Sequence, residues 1–133
     1  MSKSLIQTSN QTSQIVSANG IISLGSVLRR FGCNCKLSGN AIEVSGEGYY
    51  TISATVSVTP TEAGAVTVAV FDNGVQIPGA IAYATGTAGD PLTVPIETTI
   101  RQKCCCDNTD SLTVVLITGA GTVNNISVRI VKA

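Results

Sequence analysis

The chain has no histidine and no tryptophan, one methionine, and only three Tyr and two Phe among its 133 residues. Each absence removes a class of function. Without imidazole, the usual serine and cysteine triads lack their general base, and histidine metal ligation is excluded. Charge is scarce as well. Eight Lys plus Arg balance eight Asp plus Glu, and charged residues make up 12% of the chain, against about a quarter in ordinary globular domains. Such a surface exerts no general pull on nucleic acid or anionic lipid, so neither is an expected partner. Long apolar runs are missing too: stretches such as LTVVLIT at 112–118 fall far below the ~18 residues that a spanning helix needs, so no membrane insertion is expected. The opening MSKSLIQTSNQTSQ holds one Lys and no continuous apolar stretch. The expectation is therefore a chain without a secretory signal, made in the cytoplasm and reaching a virion, a cell surface or the extracellular space by lysis, non-classical export or assembly.

What fills the space left by charge is Thr, Ser, Val, Ala and Gly, a palette suited to strands joined by tight turns. The length fits one domain, 1–133, able to bury roughly two-thirds of its unfolded surface without a disulfide framework. Within it, 1–20 reads as N-terminal strands or an arm and 21–133 as a core sandwich. Period-two alternation recurs along the chain. SLIQTS and SQIVSA are short candidate strands, the second closed by Asn19-Gly20. The run IISLGSVLRRFGCNCKL reaches Ser38-Gly39-Asn40 and returns as AIEVS, which reads as a hairpin. GYYTISATVSVTP puts Tyr50, Ile52, Ala54, Val56 and Val58 on one face, and Thr51, Ser53 and Thr55 on the other. AVTVAVFDNGVQIPGA reads as two strands joined at Asp72-Asn73-Gly74. Pro95 interrupts LTVPIETTIRQKCCC and suggests an edge or a bulge, because proline cannot donate to a central ladder. The strands SLTVVLIT and NISVRIVKA follow. No stretch has convincing helical spacing. The spacing of eight to ten short strands predicts an all-β, antiparallel β-sandwich or jelly roll.

The three consecutive thiols, Cys104, Cys105 and Cys106, fall at the end of a strand. Ile96, Thr98, Ile100 and Gln102 share the face of Cys104 and Cys106, while Glu97, Thr99, Arg101 and Lys103 share that of Cys105. The first face is the more apolar, so two of the three sulfurs are expected to fill core. A metal site is disfavoured. With no His it would need four thiolates, and C-x-C pairs on flat strands hold their Cα atoms about 7 Å apart rather than converging as C-x-x-C knuckles do. Two readings of the remaining thiols stand: reduced side chains, or a disulfide drawn from Cys33, Cys35 and Cys105, which adjacent strands would bring within reach. Five cysteines leave at least one unpaired within a monomer, so a free thiol or an intersubunit bond follows. Asp72, Asp90, Asp107 and Asp110 sit at turns, where bonding the local backbone explains them. There is no phosphate-cradling Gly loop. No cofactor and no catalytic residue are expected, and an enzyme would need a convergent pair of perturbed carboxylates.

Against this background, GEGYYTISATV at 46–56 resembles the G-x-Y-x-I/F-x-x-x-V strand of the tumour-necrosis-factor and complement-type globular-head jelly rolls. CCCDNTDSLTVVL at 104–116 is similar to that family's L-x-L-x-x-G-D-x-V-x-V segment, with Cys104 and Cys106 at apolar core positions, Thr109 in place of the Gly, Asp110 as the Asp, and Leu112 and Val114 continuing the core. NISVRIVKA resembles its final strand. VTVAVFDNGVQIPGA, after TPTEAG, is similar to short jelly-roll proteins of Gram-positive bacteria and their phages, and to the tips of collagen-like spore-surface filaments. The resemblance implies a homotrimer whose axis is lined by Thr51, Ser53, Thr55, Thr99, Arg101, Ser127, Arg129 and Val131. Where the family places large aromatics, this chain offers Thr, Ser and Arg, which implies a wetter and weaker axis or one built differently. The function so implied is a structural or displayed head in contact with other virion or surface-assembly proteins: on a phage as capsid decoration, head or tail fibre, or otherwise on a bacterial or spore surface. The alternative is an adhesin binding a host glycan or receptor through end loops around Tyr83, Thr85, Thr87 and Asp90.

Overall fold

Alternation decides the architecture. The computed structural model describes residues 4–32, 34–102 and 109–132. Its strands are β1 (Ser4–Asn10), β2 (Gln14–Val16), β3 (Gly20–Ile21), β4 (Ser26–Phe31), β5 (Cys35–Ser38), β6 (Ala41–Ser45), β7 (Gly48–Pro60), β8 (Gly64–Asp72), β9 (Val75–Gly86), β10 (Leu92–Gln102), β11 (Thr109–Thr118) and β12 (Gly121–Lys132). No helix occurs among the described residues. One sheet runs β10-β7-β12-β1-β4, with β2 beside β12; the other runs β5-β6-β11-β8-β9, with β3 beside β11. Every pairing is antiparallel.

The inward faces interdigitate in one core. β7 contributes Tyr50, Ile52, Ala54, Val56 and Val58, all buried, as the alternation predicts. β8 adds Val66, Val68 and Val70, β11 adds Leu112, Val114 and Leu116, and β12 adds Ile126, Val128 and Ile130. Ile96, Ile100 and Gln102 of β10 are buried while Glu97, Thr99 and Arg101 are exposed, so the two faces read from the sequence hold through residue 102. Cys104, Cys105 and Cys106 lie outside the described residues. Pro95 sits on β10, the outermost strand of its sheet, where a missing donor costs no ladder bond. The turn at 72–74 places Asn73 at φ 52° and Gly74 at φ 84°, the left-handed pair that a two-residue hairpin requires.

The structure divides the run from Ile21 to Leu37 between the two sheets. β3 pairs with β11, β4 crosses to pair with β1, and β5 returns to pair with β6. Gly25 at φ 78° and Gly32 at φ 81° turn the chain at each crossing. The first twenty residues supply β1 to the interior of its sheet, between β12 and β4, with Ile6 in the core.

One side of the sandwich is tied where the Arg30 Nε on β4 donates to the Cys35 carbonyl on β5 at 2.8 Å. Cys35 points inward and is 1% exposed, without a disulfide partner among the described residues; Cys33 and Cys105 lie outside them. Burial pushes the Cys35 thiol up to about 11, against the opposing pull of Arg30 and Lys132. The thiol is therefore protonated and enclosed at neutral pH. Alkylation of the folded protein at pH 8 is expected to leave Cys35 unmodified by peptide mass spectrometry, with full modification in denaturant. Labelling at the rate of a free thiol would contradict this placement.

Candidate functional site

The solvent face of the β10-β7-β12-β1-β4 sheet is organised in rows by its register. Thr99, Thr51, Val131, Leu5 and Phe31 lie side by side across five strands. The next row is Glu97, Ser53, Arg129, Gln7 and Arg29, and the third is Pro95, Thr55, Ser127, Ser9 and Ser26. The eight positions named for a trimer axis thus fall on one face of three adjoining strands. Seven occupy these rows, and Arg101 pairs with Tyr49 one row beyond. The Arg101 guanidinium lies 5.8 Å from the centroid of the exposed Tyr49 ring, within cation–π range.

The β7 column of this face is made of small side chains, Thr51, Ser53 and Thr55, with longer ones on the strands to either side. Thr55, Thr99, Arg101 and Arg129 are exposed, and Thr51, Ser53, Ser127 and Val131 are partly buried. Phe31, at the β4 edge of the first row, is 60% exposed. Its neighbour Leu28, the extra residue of a bulge where β4 shifts register against β1, is also exposed. Glu97, Leu5, Gln7, Arg29 and Phe31 also belong to this surface, beyond the eight positions expected at an axis. Alternation with Thr99 and Arg101 already placed Glu97 there. The other four depend on β1 pairing with β12 and β4 with β1, which no local pattern reveals.

The loop residues read as a ligand site are arranged differently. Tyr83 and Thr85 project from the outer face of β9, Tyr83 at 72% exposure. Thr87 and Asp90 lie beyond its end and satisfy each other, the Thr87 hydroxyl donating to the Asp90 carboxylate and the Asp90 amide to the Thr87 carbonyl.

Asp72 and Asp110 are a convergent carboxyl pair. Burial first, and then the charge of Asp110 and a hydrogen bond with it, raise Asp72 to about 6. One Asp72 oxygen is enclosed without a hydrogen-bond partner among the described residues. The surrounding bonds are structural. Asn73 Nδ2 donates to Asp110 at 3.1 Å, and Asn73 and Ser111 exchange two further bonds at 2.9 Å, pinning the β8–β9 turn to β11. Beside the pair, a groove of about 410 Å³ is lined by Asp72, Val75, Ile77, Pro78, Thr99 and Arg101, among others. Because the folded state holds the Asp72 proton up to about pH 6 and the unfolded chain releases it near 4, stability from this group is full below about pH 4. It is then lost as pH rises to about 6. Asp72→Asn is expected to remove that decline and raise the melting temperature at pH 7, measured by circular dichroism between pH 4 and 8. An unchanged pH profile would contradict the assignment.

Two stacked sheets with these strand orders define the jelly-roll β-sandwich of tumour-necrosis-factor-like ligands and complement globular heads. Among solved structures the chain is similar to murine APRIL, with a TM-score of 0.76 at 11% identity over 99% of this chain and 100% of that one. It is also similar to the globular domain of zebrafish complement 1qA protein, at 0.71 and 8% identity over 96% and 94% of the two chains. A third is the PRD1 vertex protein P5, at 0.64 and 16% identity over 97% and 95%. Identities this low establish a shared fold. No protein-family model and no curated protein sequence matches the chain.

Proposed function

We propose that this chain is a non-enzymatic structural head that assembles as a homotrimer through the solvent face of β7, β10 and β12 and is displayed on the surface of a phage virion. The observation that carries this reading is the layered face itself. Three rows of side chains run in register across five strands, small along β7, with Val131, Leu5 and Phe31 in one row. An apolar row on an otherwise polar sheet face fits a surface covered in an assembly. The shared fold with a vertex protein supports the setting on a virion. Carbohydrate or receptor binding at Tyr83 has the exposed ring in its favour, but Asp90 is already engaged by Thr87.

The test is where the protein sits. Antibody raised against the chain is expected to decorate the exterior of intact particles purified from the source that makes it, with the protein recovered in trimeric copies. Its absence from every particle fraction would contradict the reading.

A further inference from the structure

The middle row of the face differs from the rows on either side of it. It carries an acid at the β10 flank, Glu97, and bases at Arg129 on β12 and Arg29 on β4, whereas the adjoining rows carry no charge. Glu97 and Arg129 are separated by the β7 column, two strand spacings or about 9.6 Å. Within the chain they do not pair. The Glu97 carboxylate accepts a bond from the Ser53 hydroxyl at 3.2 Å, and the ion pair among the described residues is Lys36 with Glu43, on the other sheet.

We infer that Glu97 of one protomer pairs with Arg129 of the next, so that a ring of alternating charge closes the middle layer of the trimer. The inference rests on the trimeric reading above and adds the contact that sets its register. When three copies turn this face toward a common axis running along the strands, side chains of one row meet at one height. The order β10-β7-β12-β1-β4 puts the acid on an edge strand and Arg129 on the central strand, so a contact of the β10 edge of one copy with the sheet face of the next brings the two together. Going around the axis, the Glu97 edge of each chain meets the Arg129 column of its neighbour, so each acid of the layer faces a base, and Arg29 at the β4 edge stands outside the ring. A slip of one row along the axis would set Glu97 against Val131 or Ser127 and Arg129 against Thr99 or Pro95, leaving the charges buried without ionic partners, a costly arrangement. The charged layer thus specifies register as well as attraction.

The test uses the full chain and reads mass by sedimentation at several concentrations, with circular dichroism to confirm that each variant keeps its strands. Glu97→Arg and Arg129→Glu are each expected to raise the concentration for half-dissociation by about a hundredfold, the size of effect for leaving one member of a desolvated charge pair alone. The combined E97R/R129E chain is expected to return to the wild-type mass. The milder E97Q and R129Q variants should dissociate in the same direction with weaker salt dependence than the wild type. A wild-type chain that is monomeric overturns the trimeric reading. A trimeric wild type in which the combined variant is not restored, or in which Arg29→Glu rescues Glu97→Arg in its place, overturns the Glu97–Arg129 pairing alone.

Discussion

Replacing Tyr50 by alanine is expected to lower the free energy of unfolding by about 3–5 kcal/mol, the usual cost of emptying a fully buried aromatic site. Tyr50 is the largest of the fully enclosed side chains. Its ring fills the inner face of β7, and the single proton of its hydroxyl is shared between the carbonyls of Ser45 and Gly46, each at 2.8 Å. Asn34 completes the knot, its Nδ2 donating to the Ser45 carbonyl at 2.7 Å while its side-chain oxygen accepts from Ser4 at 2.6 Å. One residue thus ties the bend between β6 and β7 to the start of β1 and the approach to β5. Tyr50→Phe keeps the ring and removes the donor; the Ser45 carbonyl keeps its bond from Asn34, so about 1–2 kcal/mol is expected, chiefly from the Gly46 carbonyl. Urea unfolding followed by circular dichroism separates the two. Equal losses in Y50A and Y50F would place the stabilisation in the hydrogen bonds rather than in the packing. A loss below about 1 kcal/mol in Y50A would contradict the burial itself.

Gly25→Val is expected to cost about 3 kcal/mol or more, combining left-handed strain with overpacking. At φ 78° the backbone at Gly25 suits glycine, and a Cβ there would collide with the Ser9 carbonyl oxygen and lie 2.6 Å from the Asn10 Cβ. Both obstacles belong to β1, the neighbour of β4, so the clash cannot be relieved by turning a flexible side chain. The expected outcome is a weakened β1–β4 edge that displaces Arg29 and Phe31 from the ends of their rows. Hydrogen exchange should report this as lost protection in 26–31 while β7 and β12 keep theirs. Uniform loss across all strands would indicate that β4 is not a separable edge. Gly74, also at positive φ, has open space around its missing Cβ. A substitution there carries strain without the clash.

The sheet faces were legible wherever alternation was strong. β7 and β10 could be read residue by residue because, apart from Thr98 and Gln102, the inward side chains are apolar while the outward ones are mostly polar or small, so a register slip would invert the whole face. The turn at 72–74 was legible for a different reason: Asn-Gly satisfies a backbone geometry that few dipeptides adopt. Strand adjacency was not legible in the same way. Leu5 beside Val131, or Gln7 beside Arg129, joins residues at opposite ends of the chain, and only the closed sandwich brings them together. The same limit applied to Asp72 and Asp110, each of which reads as an isolated turn residue until β8 and β11 pair.

Ala69 and Val115 show a second limit. Alternation correctly sends both to the outer face, where apolar residues suggest a cover from another chain. In the structure they are already buried, Ala69 at 0% exposure, because the register sets it between Val115 and Ile81 on that same face. Small residues beneath larger neighbours need no partner. The opposite sheet face is different. There β7 presents the small residues Thr51, Ser53 and Thr55, and the exposed rings of Phe31 and Tyr49 stand away from them, a shape that leaves room for a second surface.

The most direct measurement is the mass of the purified protein by light scattering after size exclusion, with and without reductant. The account predicts a particle three times the 13.6 kDa of the chain, unchanged by reductant, since the interface is a sheet face rather than a set of disulfides. A monomer at every concentration, or a multimer that falls apart when reduced, would contradict it.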